Sequence, residues 1–426
     1  MLDLQEASCN RMFFYTLLIY LYIVLIRAAS IWNKKASLWV NGRKGWQKQL
    51  KKAISASNGK KVIWVHCASL GEFEQGRPIM ERIKKEIPHA YLILTFFSPS
   101  GYEIRKDYAV ADWVMYLPAD TPGNAKKFLD LTNPQVAIFV KYEYWFNILK
   151  ELKTRNIPCL MVSGIFFEKQ FFFRWYGKWA QKFLHQFKMI FVQDLKSEKL
   201  LRSIGIHHTI LAGDTRFDRV LNIAEQFTHI DEIRGFCNNH FTFVLGSTWD
   251  EDEDLWQQWI ENHPEQRFII APHEVDERHI KGLQKRWKNC IRFSDLSTTK
   301  EHSNNHILII DNIGMLSRLY QYANIAYIGG GFGDGIHNTL EAAVYGKPVI
   351  FGPVHEIFTE AAGLVYAGAG FVVHNTKELE NCLNGMMHDH KKLEYASNAA
   401  TNYVKMHAGA TQKILNYVQE NLLFNN

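Results

Sequence analysis

Two glutamates and a run of glycines are the residues whose chemistry matters first in this chain. Glu72 stands in "HCASLGEFEQGRP", residues 66–78, where an apolar run gives way to small residues, a glycine and a helical pattern. A carboxylate in a first helical turn is stabilised by the unpaired N–H groups there. Glu72 therefore reads as a helix cap or as a base that takes a proton from a substrate hydroxyl. Glu143, in "VKYEYWFN" (140–147), lies between aromatic residues, a setting that withdraws a carboxyl from water and suits proton handling. Pairing with Lys141 or Arg77 is its structural alternative.

The glycines lie in "IGGGFGDGIHNTLEAAVYGKPVIFGP", residues 328–353, with five between Gly329 and Gly335. Gly330 and Gly331 let backbone approach a ligand, and His337, Asn338 and Thr339 then begin a helical pattern whose free N–H groups suit an anion. Glu341, one turn on, has the reach to accept hydrogen bonds from a ribose diol. A glycine turn followed by a cap is the plain reading of the same residues. Neither the G-x-G-x-x-G dinucleotide spacing nor the Gly-Lys-Ser/Thr ending of a P-loop is present, which argues against NAD enzymes and P-loop NTPases.

Three more loops follow apolar runs. Ser247 and Thr248 in "GSTWDEDE" (246–253) cap the next helix or bind a phosphate oxygen, with capping the better single reading. His273 in "APHEVDERH" (271–279) ends a strand where it meets an anion or serves the core. Ser98, Ser100 and Gly101 lie in "LTFFSPSGYE" (94–103), beside the loop of Glu143.

The elements behind these loops are legible. Short β-branched and aromatic runs alternate with helical patterns, as βαβ units and a parallel sheet require. The first set is "KVIWVHC" (61–67), "YLILTFF" (91–97), "VAIFV" (136–140), "CLMVSG" (159–164) and "MIFVQ" (189–193). The second is "FTFVLGS" (241–247), "RFIIAP" (267–272), "ILIID" (307–311), "IAYIGGG" (325–331) and "PVIFG" (348–352). Two doubly wound Rossmann-like α/β domains facing a cleft are expected, with "LAGDTRFDRV" (211–220) as the hinge. The divisions are 1–32 as an N-terminal membrane anchor, 33–215 and 216–400 as the two domains, and 401–426 as a C-terminal helix returning to the first. Ligands of such sheets bind beyond the carboxyl ends of the strands, where all the loops above lie.

Met12 to Ile26 is fifteen uncharged residues, followed between Trp32 and Lys61 by nine Lys or Arg and no acid. This pattern anchors a chain with its basic flank in the cytoplasm and against anionic headgroups. A helix lying on a surface is the alternative. The segment "FFEKQFFFRWYGKW" (166–179) interleaves rings with basic side chains, which suits acyl chains and phosphates. With an anchor present, lipid is a better partner than nucleic acid. The six cysteines form no C-x-x-C pair, so neither structural zinc nor a disulfide framework is expected.

Taken in order, "ASLGE", "SPSG", "YLPADTP", "EYWFN", "GDTRFD", "GST", "GGGFGDGIHNTLEAA" and "GKPVIFGP" resemble the 3-deoxy-D-manno-octulosonic acid (Kdo) transferases of lipopolysaccharide synthesis, from the anchor to about residue 375. The resemblance implies an inverting glycosyltransferase of the B-type fold on the cytoplasmic face of a bacterial inner membrane. It implies CMP-Kdo as donor, lipid IVA as acceptor, and no metal or cofactor. Glu72 matches the family's general base and Glu143 its second essential carboxylate. His337, Asn338 and Glu341 fall on its nucleotide motif. The chain departs from the family at Pro272-His273-Glu274, where Pro-Arg-His is usual, and the glycine loop is one residue short. Another B-type transferase or epimerase, or a non-enzymatic anchored protein that binds anionic lipid, shares parts of this pattern.

Overall fold

The computed structural model describes residues 2–296 and 305–423, with side chains from residue 12 to 422 of that span. The chain forms two units, Met1–Asp218 with Ala408–Asn426, and Arg219–His407.

The first unit holds a seven-stranded parallel sheet: β1 (Lys61–Cys67), β2 (Ala90–Phe96), β3 (Trp113–Tyr116), β4 (Val136–Val140), β5 (Cys159–Gly164), β6 (Met189–Val192) and β7 (Thr209–Leu211). Their order is β3-β2-β1-β4-β5-β6-β7. β1 is central, with Lys61 opposite Ala90 of β2 and Ile63 opposite Val136 of β4. A parallel strand covered by helices on both faces must be apolar at consecutive positions, which explains the unbroken runs. Alternate residues serve two cores. Val62 and Trp64 face one with Phe128 and Phe139, whereas Ile63, Val65 and Cys67 face the other with Ile79 and Met80.

The second unit repeats the plan with β8 (Thr242–Thr248), β9 (Arg267–Pro272), β10 (Cys290–Arg292), β11 (Ile307–Ile309), β12 (Ile325–Ile328), β13 (Val349–Phe351) and β14 (Gly370–Val372). Their order is β10-β11-β9-β8-β12-β13-β14, all parallel. The strand order reverses beside β1 in one unit and beside β8 in the other, and ligands enter doubly wound sheets at such points.

The C-terminal region differs from expectation. In place of the one C-terminal helix expected over 401–426, two helices are present among the described residues, His390–His407 and Ala410–Val418, broken at Gly409, whose φ is 104°. Ala410, Ile414, Leu415 and Val418 of the second helix are buried among Ile63, Val65 and Leu94 of the first unit. Asp218 fastens it by accepting from the Gly409 and Thr411 amides, the latter at 2.7 Å.

The N-terminal helix, Leu2–Ala29, contains the apolar segment Met12–Ala29, long and apolar enough to cross a membrane. One face lies on the first unit, where Met12 and Tyr15 pack against its core. Phe13, Phe14, Leu17, Leu18, Leu21, Val24 and Leu25 point outward and are exposed.

Candidate functional site

At the carboxyl end of β1, Ser69 turns into the helix Leu70–Glu86 with extended backbone and acts as its N-cap. Glu72 bends back so that its Oε2 accepts from the Ser69 amide at 3.1 Å and from the Ser69 hydroxyl. The capping reading of Glu72 is thus realised in the geometry. The next loop is tied alongside, since the Ser98 amide donates to Ala68 O at 2.7 Å. Ser98 caps the helix Pro99–Arg105, and its Oγ lies 3.0 Å from the Ser100 Oγ. Gly101 is required by this approach: a Cβ there would lie 2.3 Å from the Phe96 ring and 3.0 Å from the backbone of Ser69.

Glu143 follows β4 on a loop that turns at Lys141, whose φ is 62°. Its Oε2 accepts from Trp145 Nε1 at 2.6 Å and lies 3.0 Å from His66 Nε2. Arg77 pairs instead with Glu81, at 2.7 Å. His66, fully buried in β1, places Nδ1 2.8 Å from Thr95 Oγ1, which also accepts from Trp64 Nε1 at 2.8 Å. A buried polar line therefore runs Trp64–Thr95–His66–Glu143–Trp145, each member meeting the bonding needs of the next, as burial demands.

Glu72 and Glu143 share a neighbourhood. Burial first, then the charges of Glu72 and Glu143, hold the Cys67 thiol well above its ordinary range. Burial, with Glu72 and Asp194, pushes the Tyr142 hydroxyl up to about 12. The sequence reading missed His66, Thr95 and Trp145. A histidine inside an apolar run looks like any core residue, and its carboxylate partner lies 77 positions away.

In the second unit, β8 ends at Ser247, with φ of 55°, and Thr248. Thr248 Oγ1 donates to Glu253 Oε1 at 3.1 Å, so neither hydroxyl caps the following helix, Asp250–Asn262. Asp252 does so by accepting from the Trp249 amide at 2.9 Å. The same buried carboxylate accepts from the Gly330 amide at 2.9 Å and from Tyr327 OH at 2.5 Å. Asp252 thus buckles the glycine loop to the β8 turn, a role that an acid run gives no sign of. Glu253 Oε1 also lies 3.0 Å from His279 Nε2, and these two with Asp250 form an acid–histidine cluster.

The glycine loop needs its glycines. Gly330 has φ of 90°, and a Cβ on Gly331 would lie 2.6 Å from the backbone of Gly352. The loop delivers His337 onto His273, their rings stacked with centroids 4.6 Å apart, and His273 stacks in turn on Trp249 at 4.4 Å. Trp249 Nε1 donates to His337 Nε2 at 3.4 Å, which places the His337 proton on Nδ1. Burial, then His273, pulls His337 down to about 4, so it offers an N–H to an anion rather than a charge.

The helix expected from "HNTLEAA" is a single turn, Leu340–Ala343. Its dipole is correspondingly small, and the glycine backbone and the ring stack are the larger features. Asn338 Oδ1 accepts from the Leu340 amide and its Nδ2 donates to Glu341 Oε1, both at 3.1 Å. Burial raises the Glu341 carboxyl, opposed by Arg219 and by the Asn338 bond. Thr339 is fully buried, its Oγ1 without a partner among the described residues. Trp249, Asp252 and Arg219 were missed from sequence. Asp252 alone had a signal, its position three residues after the Trp249 cap.

Residues 43–219 match the family model described as 3-deoxy-D-manno-octulosonic-acid transferase (kdotransferase). Over 378 residues the chain is 26% identical to the 3-deoxy-D-manno-octulosonic acid transferase of Rickettsia typhi, covering 86% of this chain and 81% of that one. The enzyme of that name from Aquifex aeolicus is 28% identical over 348 residues, 80% of this chain and 90% of that one. Among solved structures, the UDP-GlcNAc 2-epimerase from Neisseria meningitidis bound to UDP-GlcNAc superposes with a TM-score of 0.60 at 16% identity, over 85% of this chain and all of that one. A putative UDP-N-acetylglucosamine 2-epimerase from Listeria monocytogenes gives 0.59 at 11% identity, over 85% of this chain and 96% of that one. At these identities the two structures share the fold.

Proposed function

Because this chain belongs to the 3-deoxy-D-manno-octulosonic acid (Kdo) transferase family, we propose that it moves Kdo from CMP-Kdo to lipid IVA in lipopolysaccharide synthesis, with inversion and with Glu72 as general base. The supporting observation is the placement of Glu72 and Glu143 after the adjacent strands β1 and β4, at the switch point of the first sheet, where the charges of both act on the Cys67 thiol. The Ser69 bonds fall on Glu72 Oε2, so Oε1 is the oxygen that would take the acceptor's hydroxyl proton. As that proton leaves, the acceptor oxygen bonds to the anomeric carbon of Kdo, and the C–O bond to CMP breaks on the opposite face. Glu143, fixed by His66 and Trp145, would orient the acceptor.

In the second unit, the glycine backbone, the Nδ1–H of His337, and His273 would meet the departing phosphate, with Ser247, Thr248 and Thr339 lining its approach. Asn338 and Glu341 would sit beneath the nucleoside. No cofactor enters this scheme. The exposed apolar face of the N-terminal helix, followed by basic residues, supports residence on the cytoplasmic face of the inner membrane, against anionic lipid.

The test is Glu72→Ala assayed with CMP-Kdo and lipid IVA by mass spectrometry. Turnover should fall by about 100-fold or more while CMP affinity holds. Near-normal turnover would refute the base assignment, and product from a UDP-sugar but not from CMP-Kdo would refute the donor.

A further inference from the structure

The N-terminal helix does more than present an apolar face. Its inward residues reach both sides of the loop that carries Glu143. On one side, Tyr15 OH donates to Asp120 Oδ2 at 2.7 Å, the Tyr15 ring lies 4.8 Å from the Phe146 ring, and Thr16 Oγ1 lies 3.5 Å from Asn147 Oδ1. On the other, Tyr22 stacks on Phe97 at 6.2 Å, and Phe97 packs on Trp145 at 4.7 Å.

Asp120 links these contacts to the loop. It is 1% exposed, in the turn after β3. Its Oδ2 also accepts from the Asn147 amide at 3.0 Å, and its Oδ1 from the Ile148 amide at 2.9 Å. Its own carbonyl accepts from Asn147 Nδ2 at 2.6 Å. The helix Phe146–Thr154 has Trp145 at its N-cap position, and the Trp145 side chain makes no capping bond. Asp120 supplies that bond from a distant part of the sequence, and the helix it caps begins directly after Glu143-Tyr144-Trp145.

We propose that Tyr15 and Asp120 are positioning residues: the N-terminal helix, through Tyr15, holds Asp120 in place to cap the helix at Phe146, and so fixes the Glu143 carboxylate. The proposal rests on the transferase reading of that site. A buried carboxylate persists only when its oxygens are met by donors, and Tyr15 provides one of the three. Without it, Asp120 takes up a proton more readily. A protonated carboxyl must donate through one oxygen, which weakens its hold on the Asn147 and Ile148 amides. The loop ahead of them then loosens. A displacement of about 1 Å at a reacting group lowers turnover by roughly 100-fold, so a partial loosening is expected to cost about tenfold.

The experiment compares the full-length protein with Tyr15→Phe in detergent. Phenylalanine keeps the ring on Phe146 and the apolarity of the helix. Hydrogen exchange at the Asn147 and Ile148 amides should quicken about fivefold or more, the loss expected for one hydrogen bond. Turnover should fall about tenfold with the KM for acceptor unchanged. Tyr15→Phe combined with Asp120→Asn should be no slower than Asp120→Asn alone, since both act through one bond.

A double variant of outward residues, Leu17→Ser with Leu18→Ser, should keep wild-type exchange and turnover in detergent while binding anionic phospholipid vesicles less well. Unchanged exchange in Tyr15→Phe overturns the proposal, as does quickened exchange with unchanged turnover. Equal loss of turnover in the Leu17/Leu18 variant also overturns it. Absence of turnover in the wild-type protein would sink the transferase reading, and the exchange measurement would then decide on its own whether this helix holds the loop.

Discussion

Alanine at Gly331 gives the sharpest test of the proposed donor loop. Its Cβ would lie 2.6 Å from both N and Cα of Gly352 and 2.9 Å from its carbonyl carbon. These atoms are all backbone, so no rotamer change relieves the contact. The strand-exit segments after β12 and β13 must part by roughly 0.8 Å to reach ordinary van der Waals distance. Overpacking of this kind costs about 1–3 kcal/mol. In a unit of this size that lowers Tm by roughly 2–10 °C. The same movement pulls on the bonds from Val354 N to Gly331 O and from Gly330 N to Asp252, and so displaces His337. With a phosphate seat shifted by almost 1 Å, turnover should drop by about 100-fold. CMP affinity, read by calorimetry, should weaken at least tenfold or so. Gly282→Ala is the control, because nothing lies within 4 Å of its Cβ and it sits in the helix Glu277–Arg286. That variant should be neutral or slightly stabilised, by about 0.5–1 kcal/mol. If Gly331→Ala unfolds earlier yet binds CMP with wild-type affinity, the loop is not where the donor sits.

Asp120 and His337 should contribute to stability with opposite pH dependence. Burial raises the Asp120 carboxyl from 3.8 to about 6, so the folded state binds more protons than the unfolded state between those values. The Asp120 contribution to the stability of the first unit is then fully present below pH 3.8 and declines as pH rises through about 6, by up to about 3 kcal/mol. Asp120→Asn should flatten that slope in calorimetric scans from pH 4 to 6.5, and an unchanged slope would remove Asp120 as its source. His337 is depressed, from 6.5 to about 4, so its contribution is present above pH 6.5 and lost as pH falls toward 4. His337→Asn should remove that loss from the pH profile of the second unit, leaving the opposite contributions of the buried Asp252, Glu253 and Glu341 carboxyls. A variant that still shows the loss would place the titrating group elsewhere.

Central strands were legible because parallel sheets demand apolar residues on both faces. The runs at β1, β4, β5 and β9 coincide with the observed strands residue for residue. β3, β7, β10 and β14 were not read. They are three or four residues long and lie at the sheet edges, too short for an apolar run or an alternation to register. The site divides in the same way. Glu72 announced itself by position, because a carboxylate three residues into a helix has a local cause. Glu143 was visible as an acid among rings, but its partner His66 was not, since pairing across sequence-distant strands leaves no local mark. Asp252 shows the limit most clearly: five neighbouring acids offer the same chemistry, and only the fold decides which of them turns inward.

The segment from Ala408 onward completes a core whose other residues, Ile63 to Ala212, are made roughly 200 to 350 positions earlier. During synthesis the first sheet leaves the ribosome long before this helix, and Ile63, Val65 and Leu94 stay only partly covered, by Ile79 and Met80, until it emerges. A premature stop codon just upstream would therefore cripple the half of the protein that is already made, and a chaperone would be needed to hold the nascent chain through that interval.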